Sequence, residues 1–141
     1  MGIYFYSNKN YSFLSNFHPA PFVLDKRLWP TVEHYYQAQK TTSLSEQEKI
    51  RSLPRPGQAK RAGRKIKLQK GWEKIKEDVM QKALYAKFSQ NPSLKEKLLA
   101  TGDESLHEDS PYDFYWGAKG QDRLGKLLAE IRDALRKEAA Q

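Results

Sequence analysis

Three side chains capable of chemistry lie along one short stretch, from Trp29 to Lys40. In an α-helix, at about 100° per residue, Glu33, Gln37 and Lys40 fall within roughly 60° of one another. The apolar residues between them spread round most of the circumference, which indicates a largely buried helix. A carboxylate and an amine on a buried helix must either be paired or take part in a reaction. An ordinary ion pair and a reactive site are both compatible with this pattern.

Charge is distributed unevenly along the chain. The formal net charge of +8 and the pI of about 9.6 favour an anionic partner. Residues 60–76, called here the basic stretch, contain eight Lys or Arg residues and one acid, Glu73. Such a cluster attracts phosphate. Residues 104–113 contain four acids and no Lys or Arg, so the two segments could flank a cleft for a phosphorylated ligand, or each could be a solvated charged face.

The segment Leu106–Gly117, called here the aromatic loop, is too polar and too aromatic for a routine connection. Its turn and its Trp116-Gly117 junction could hold Asp113 near an exposed indole face. That arrangement would suit a sugar hydroxyl and a stacked ring. The alternative is that Trp116 fills the core while Asp113 caps a turn.

Two other positions carry the same kind of alternative. Asn16 lies in Phe13–Phe17, whose aromatic residues can anchor a loop while the polar residues cap a turn or contact a ligand. Trp72 is either a core residue or a stacking platform.

Length and composition set the class of protein. A chain of 141 residues fits one domain, 1–141. The sequence has no long apolar run and no secretory leader, which predicts a soluble, cytoplasmic protein with no membrane contact. It has no cysteine, and its three histidines lie far apart. We therefore predict neither a metal site nor a cofactor.

Periodicity and turn signals predict an α+β protein, mainly α-helical, with a small N-terminal β-sheet. A strand at Ile3–Tyr6 precedes turn residues 7–10, and a hairpin follows with Asp25-Lys26 as its turn. The predicted helices then follow in this order: 29–40, one that a Ser43 or Ser45 cap opens and Pro54 stops, 58–63, 72–91, 91–101 and 122–139.

A set of motifs runs in order from about Tyr4 to Arg132: Phe13-Leu-Ser-Asn-Phe, Trp29-Pro-Thr-Val-Glu-His-Tyr-Tyr-Gln-Ala-Gln-Lys, Ala59-Lys-Arg-Ala-Gly-Arg, Gly71-Trp, Met80-Gln-Lys-Ala-Leu-Tyr-Ala-Lys-Phe-Ser-Gln-Asn, Leu98-Leu-Ala-Thr-Gly-Asp, Ser110-Pro-Tyr-Asp-Phe-Tyr-Trp-Gly and Leu124-Gly-Lys-Leu-Leu. The set resembles the NADAR family, which includes the YbiA-like N-glycosidases. The resemblance implies a compact, mostly helical domain that hydrolyses N-glycosidic bonds to ribose. Two substrate classes are implied: early phosphorylated riboflavin intermediates, and ADP-ribose attached to guanine in DNA or RNA.

The resemblance also implies roles for individual residues, with Glu33 as a catalytic or ribose-binding carboxylate and Lys40 as a candidate covalent nucleophile. It marks Trp72, Asp113 and Trp116 as functional as well. The predicted catalytic residues are Glu33, Lys40 and Asp113, and the predicted substrate-binding residues are Asn16, Gln37, Arg64, Trp72, Trp116 and Gly117. Two features depart from the family pattern: the loop after Gly117 is shorter than usual, and Asp122 stands where Asn is common.

The chemistry of the residues is compatible with these roles. Cleavage of an N-glycosidic bond develops positive charge at the anomeric carbon, which a carboxylate stabilises. Lys40, if desolvated, could trap the sugar as a Schiff base, or Glu33 could activate water directly. A function of another class, a non-catalytic nucleotide or nucleic-acid binding module, would tolerate Lys40→Arg, whereas an enzyme with a lysine nucleophile would not.

Overall fold

The structure is a computed structural model that describes residues 2–6 and 9–141. Residues 7 and 8 of the predicted turn lie outside the described residues. In chain order the elements are β1 (Gly2–Phe5), a 3-10 helix (Lys9–Leu14), β2 (Phe22–Leu24), β3 (Arg27–Trp29), α1 (Val32–Ala38), α2 (Leu44–Arg51), α3 (Pro56–Arg64), α4 (Trp72–Gln90), α5 (Pro92–Ala100), β4 (Ser105–Glu108) and α6 (Arg123–Ala139). The predicted class, mainly helical α+β, is confirmed.

The chain divides into two units. One, called here the central unit, is Pro19–Gln90, and the other, the terminal unit, combines Met1–His18 with Asn91–Gln141. The single domain predicted for residues 1–141 stays a prediction.

The hairpin of the central unit has the predicted turn. Strands β2 and β3 pair antiparallel, with Phe22 opposite Trp29. Asp25 and Lys26 both have positive φ, 53° and 64°, the backbone that a two-residue hairpin turn requires. The side-chain amide of Gln90 donates to the carbonyl of Val23 and accepts from its N–H, each at 2.8 Å, so it closes the edge of β2 as a neighbouring strand would.

Helix α1 is the core of the central unit. All seven of its residues are buried, as the sequence predicts. Tyr35 packs edge-on against Trp29, with ring centroids 5.0 Å apart, and its hydroxyl donates to Asp25 at 2.7 Å. Helices α2, α3 and α4 all contact α1. The surroundings of α1 are therefore fixed by packing on several sides.

The terminal unit contains a strand that the sequence reasoning missed. Strand β4 pairs parallel with β1, with Gly2 opposite Ser105, whereas we expected this part of the aromatic loop to be irregular. Helix α6 packs on β4 so closely that a Cβ at Gly125 would overlap the carbonyl oxygen of Leu106. The sheet formed by β1 and β4 is small, as predicted, but it joins residues about 100 positions apart in the sequence.

Within the described part of the chain, none of the helices is long and apolar enough to cross a membrane.

Candidate active site

Helix α1 holds Glu33 and Gln37 in place through its own N-terminal cap. The Thr31 hydroxyl accepts from the backbone N–H of His34 at 3.1 Å and contacts His34 Nδ1 at 2.8 Å. His34 Nε2 lies 2.9 Å from the carbonyl oxygen of Leu53, which ties α1 to the segment after α2. Glu33 lies in the first turn, where the positive end of the helix dipole stabilises a carboxylate.

Glu33 and Gln37 form a buried hydrogen-bonded pair. Gln37 Nε2 donates to Glu33 Oε2 at 2.6 Å, and the two side chains are 5% and 7% exposed. The spacing of four residues brings them together on one face, as the sequence predicts. No donor to Gln37 Oε1 is found among residues 2–6 and 9–141. The orientation of this amide is therefore set by Glu33 on one side and by packing on the other.

Lys40 lies just beyond the helix rather than on it. The helix predicted at 29–40 ends at Ala38, with Gln39 as its C-cap. Lys40 remains close to the helical path because its N–H donates to Gln37 O at 3.3 Å, and its own carbonyl accepts from Gln69 N–H at 2.7 Å. Lys40 therefore lies in the turn that follows α1, and it continues the side of the helix that carries Glu33 and Gln37.

The surroundings of Lys40 favour the neutral amine. Burial is the largest cause that lowers its pKa from the ordinary value of 10.5, and the nearby cations Arg64, Lys60 and Lys76 lower it further, while Glu33 opposes the shift. The Lys40 amine thus interacts electrostatically with both the Glu33 carboxylate and cations of the basic stretch. Arg64 and Lys60 project from α3 and are exposed.

Two aromatic rings continue the cluster. The Lys40 amine lies 5.6 Å from the ring centroid of Tyr36, within the range of a cation–π contact. The Tyr36 ring lies 5.3 Å from that of Trp72. Trp72 begins α4 and is 4% exposed, so most of its indole is packed inside the protein.

The aromatic loop in the terminal unit is built as a capped turn. Asp113 Oδ1 accepts from the backbone N–H groups of Tyr115 and Trp116, at 3.0 and 2.8 Å. The chain folds back tightly here, because a Cβ at Gly117 would overlap the carbonyl oxygen of Asp113. The turn-capping interpretation of Asp113 thus describes its observed contacts.

The indole of Trp116 is not exposed. Its side chain is 7% exposed and lies edge-on against Tyr115, with centroids 4.9 Å apart. Of the two alternatives, the exposed indole face is wrong and the Trp116 that fills the core is observed, since the loop folds its largest ring inward. Tyr112 and Phe114 are instead the exposed rings of this loop.

Asn16 is also buried, at 7% exposure, beside a turn that its neighbour caps. Ser15 Oγ accepts from the N–H of Phe17 at 3.1 Å. Turn capping in this segment is thus done by Ser15.

The predicted site residues divide between the two units. Glu33, Gln37, Lys40, Arg64 and Trp72 lie in the central unit. The contacts and electrostatic interactions above connect them into one group, called here the α1 cluster. Asn16, Asp113, Trp116 and Gly117 lie in the terminal unit. Their predicted part in the same site stays a prediction.

Sequence reasoning missed several residues that surround the α1 cluster. Tyr36 precedes Lys40 by four residues, a spacing that could have identified it. Lys60 and Lys76 belong to the basic stretch but were not singled out. Gly63 stands in the Ala59-Lys-Arg-Ala-Gly-Arg motif, but its contact with Gln37 on α1 exists only after α3 has packed.

Among the residues that the structure describes, no group of three His, Asp or Glu side chains is arranged to hold a metal ion.

Known proteins resemble the chain over nearly its full length. The family model for the NADAR domain matches residues 4–136. N-glycosidase YbiA of Escherichia coli (strain K12) is 46% identical over 140 residues, which cover 94% of this chain and 88% of that protein. The riboflavin biosynthesis protein VVA0006 of Vibrio vulnificus (strain YJ016) is 38% identical over 144 residues, covering 97% of this chain and 39% of that protein. The NMR structure of E. coli YbiA has a TM-score of 0.90, with 44% identity, 99% of this chain covered and 87% of the other.

Proposed function

This chain belongs to the NADAR family and is an N-glycosidase. We propose that it cleaves the bond between a phosphorylated ribose and a nitrogen base, and that the α1 cluster is its active site. The observation that carries the proposal is the placement of a buried carboxylate, Glu33, and a half-buried amine, Lys40, in each other's field beside exposed cations. A glycosidic transition state needs negative charge near C1, and a phosphorylated substrate needs cations to bind its phosphate.

Each group has a role in the proposed reaction. The Glu33 carboxylate stabilises the positive charge that develops at C1 as the base departs. The neutral amine of Lys40 attacks C1, the base leaves with a proton, and ring opening gives an imine. Water then hydrolyses the imine and releases the sugar and free Lys40. Water activated by Glu33 is the simpler alternative route.

Arg64 and Lys60 supply the phosphate contacts. Both are exposed cations on α3, and both contribute to the field at Lys40. An anionic group bound beside them would lie near the reacting amine, and a guanidinium can hold phosphate with two parallel hydrogen bonds.

Two substrate classes fit this proposal. The name of the V. vulnificus relative supports a phosphorylated ribosylamine intermediate of riboflavin synthesis. ADP-ribose on guanine in DNA or RNA is the second class, and the basic stretch suits its longer anionic backbone.

Analysis of the products formed from the two substrates tests both the proposed reaction and the class of substrate. We expect free base and ribose 5-phosphate from the riboflavin intermediate, or guanine-containing nucleic acid and ADP-ribose from the second substrate. Glu33→Gln removes the charge and keeps the shape, so turnover should fall by about 100-fold or more with folding intact.

Glu46→Gln is the matched control, because Glu46 is an exposed acid in the first turn of α2. It should leave turnover unchanged. A Glu33→Gln variant with activity within a few-fold of the wild type would remove Glu33 from the mechanism.

A further inference from the structure

We infer that Gly63, on α3, is a positioning residue for the carboxylate of Glu33 and acts through the side-chain amide of Gln37. The inference rests on the proposed function for the role of Glu33, and on contacts within the central unit for the rest.

The first observation is steric. A Cβ built on Gly63 would overlap Gln37 Oε1 and would lie 2.6 Å from Gln37 Cδ. Gly63 is buried in the last turn of α3, and α3 contacts α1. A glycine at position 63 is therefore what allows the amide of Gln37 to occupy its observed place.

The second observation is the arrangement of the amide itself. Its nitrogen donates to Glu33 Oε2 at 2.6 Å. Its oxygen, which is buried, faces the Cα of Gly63, and no conventional donor to it is found in the described ranges 2–6 and 9–141. A Cα–H group is a weak donor, so the position of the oxygen is fixed mainly by the shape of α3.

These two contacts act on opposite ends of one amide group. Gly63 determines how far the Gln37 side chain can extend toward α3, and the extended chain brings Nε2 to the carboxylate. A methyl group at position 63 would push the amide away, and Glu33 would lose the hydrogen bond from Gln37. A carboxylate that shifts in response would be misplaced relative to the reacting carbon, and a displacement of about 1 Å can cost on the order of 100-fold in rate.

Gly63→Ala is the decisive variant, and α3 provides its matched control. A Cβ at Gly57, in the first turn of the same helix, would meet only Arg61 Nη1 at 3.9 Å. Both substitutions change glycine to alanine in one helix, and only the first reaches Gln37. We expect kcat to fall by about 10- to 100-fold in Gly63→Ala with KM changed by less than about 3-fold, and Gly57→Ala to match the wild type.

Chemical shifts give a readout that does not depend on activity. In ¹H–¹⁵N spectra the side-chain NH₂ resonances of Gln37 should move in Gly63→Ala and stay in place in Gly57→Ala. If the wild type were inactive on both substrates, the proposed function would fail, while this shift would still decide the effect of Gly63 on Gln37.

A double variant separates positioning from general packing. Gln37→Ala removes the amide that the new methyl would strike and leaves only the Cβ of residue 37, 3.1 Å away. Gly63→Ala should therefore lower kcat much less in that background than in the wild type, and the double variant should fold even if the single one does not. The inference is overturned if Gly63→Ala keeps the wild-type kcat and the Gln37 shifts. It is also overturned if Gly63→Ala lowers kcat by the same factor in the Gln37→Ala background as it does in the wild type.

Discussion

At the residue scale, the reactivity of the α1 cluster depends on opposing effects at one amine. Burial and the cations on α3 and α4 lower the pKa of Lys40, while the carboxylate of Glu33 works against them. Loss of the cations would therefore make Lys40 a weaker nucleophile, and loss of Glu33 would make the neutral amine easier to form. The carboxylate and the cations thus shift the pKa of Lys40 in opposite directions.

Borohydride added during turnover should trap the sugar on Lys40, and mass spectrometry should locate the adduct there. Since only the neutral amine attacks, trapping should increase with pH through the pKa of Lys40, with a midpoint below the ordinary 10.5. Lys40→Arg keeps a positive charge but should abolish trapping and turnover.

The control for this trap is Lys65→Arg, which changes an exposed lysine of the basic stretch. It should leave the adduct intact. An active Lys40→Arg variant, together with turnover that yields no adduct, would favour direct attack by water.

At the element scale, the start of α6 depends on an unusual backbone. Asp122 is its N-cap and has left-handed φ and ψ of 56° and 37°, without a capping hydrogen bond from its side chain. Its carboxylate instead contacts His107 Nδ1 on β4 at 2.6 Å. Asp122 thus joins the helix to the parallel sheet.

Asp122→Asn should be nearly neutral, because Asn adopts the left-handed region readily and its amide oxygen can accept from His107. Asp122→Val should lower the melting temperature by about 4 °C or more, since a branched side chain is strained at positive φ and leaves His107 without this contact. Thermal unfolding measures both variants.

Asp133→Val serves as the reference for this pair, because Asp133 is exposed within the same helix. Asp133→Val should lower the free energy of unfolding by only a few tenths of a kcal/mol. Equal melting temperatures for Asp122→Val and Asp122→Asn would contradict the importance of the backbone conformation.

At the scale of the whole molecule, the stability of the fold should depend on pH through a lysine outside the α1 cluster. Lys87, on α4, is fully buried, and burial lowers its pKa to about 7. Between pH 7 and about 10.5 the unfolded chain binds one more proton at this lysine than the folded chain does. Stability should therefore increase with pH across that window.

Lys87→Met should flatten this dependence. The slope of the unfolding free energy between pH 7 and 10 should decrease by up to about 1.4 kcal/mol per pH unit, measured by urea denaturation. Lys82→Met, an exposed lysine on the same helix, should leave the slope unchanged. A slope in Lys87→Met that equals that of the wild type would show that Lys87 keeps its proton in the folded state.

The sequence by itself determined the features that depend on neighbours along the chain. The Asp25-Lys26 turn and the pairing of Glu33 with Gln37 follow from local backbone preferences and helical spacing, which act over a few residues. The same preferences narrowed the cap of α2 to Ser43 or Ser45, and the structure has Ser43. These rules also place Lys40 near Glu33, although the helix ends two residues earlier than predicted.

Only the tertiary structure decided which distant segments meet. Parallel pairing of β1 with β4 joins segments about 100 residues apart, and no local pattern specifies that choice. The inward position of Trp116 and the approach of Gly63 to Gln37 likewise depend on close packing between elements. The field at Lys40 depends on the same packing, because charges act through space and α3 and α4 bring Arg64, Lys60 and Lys76 to the amine.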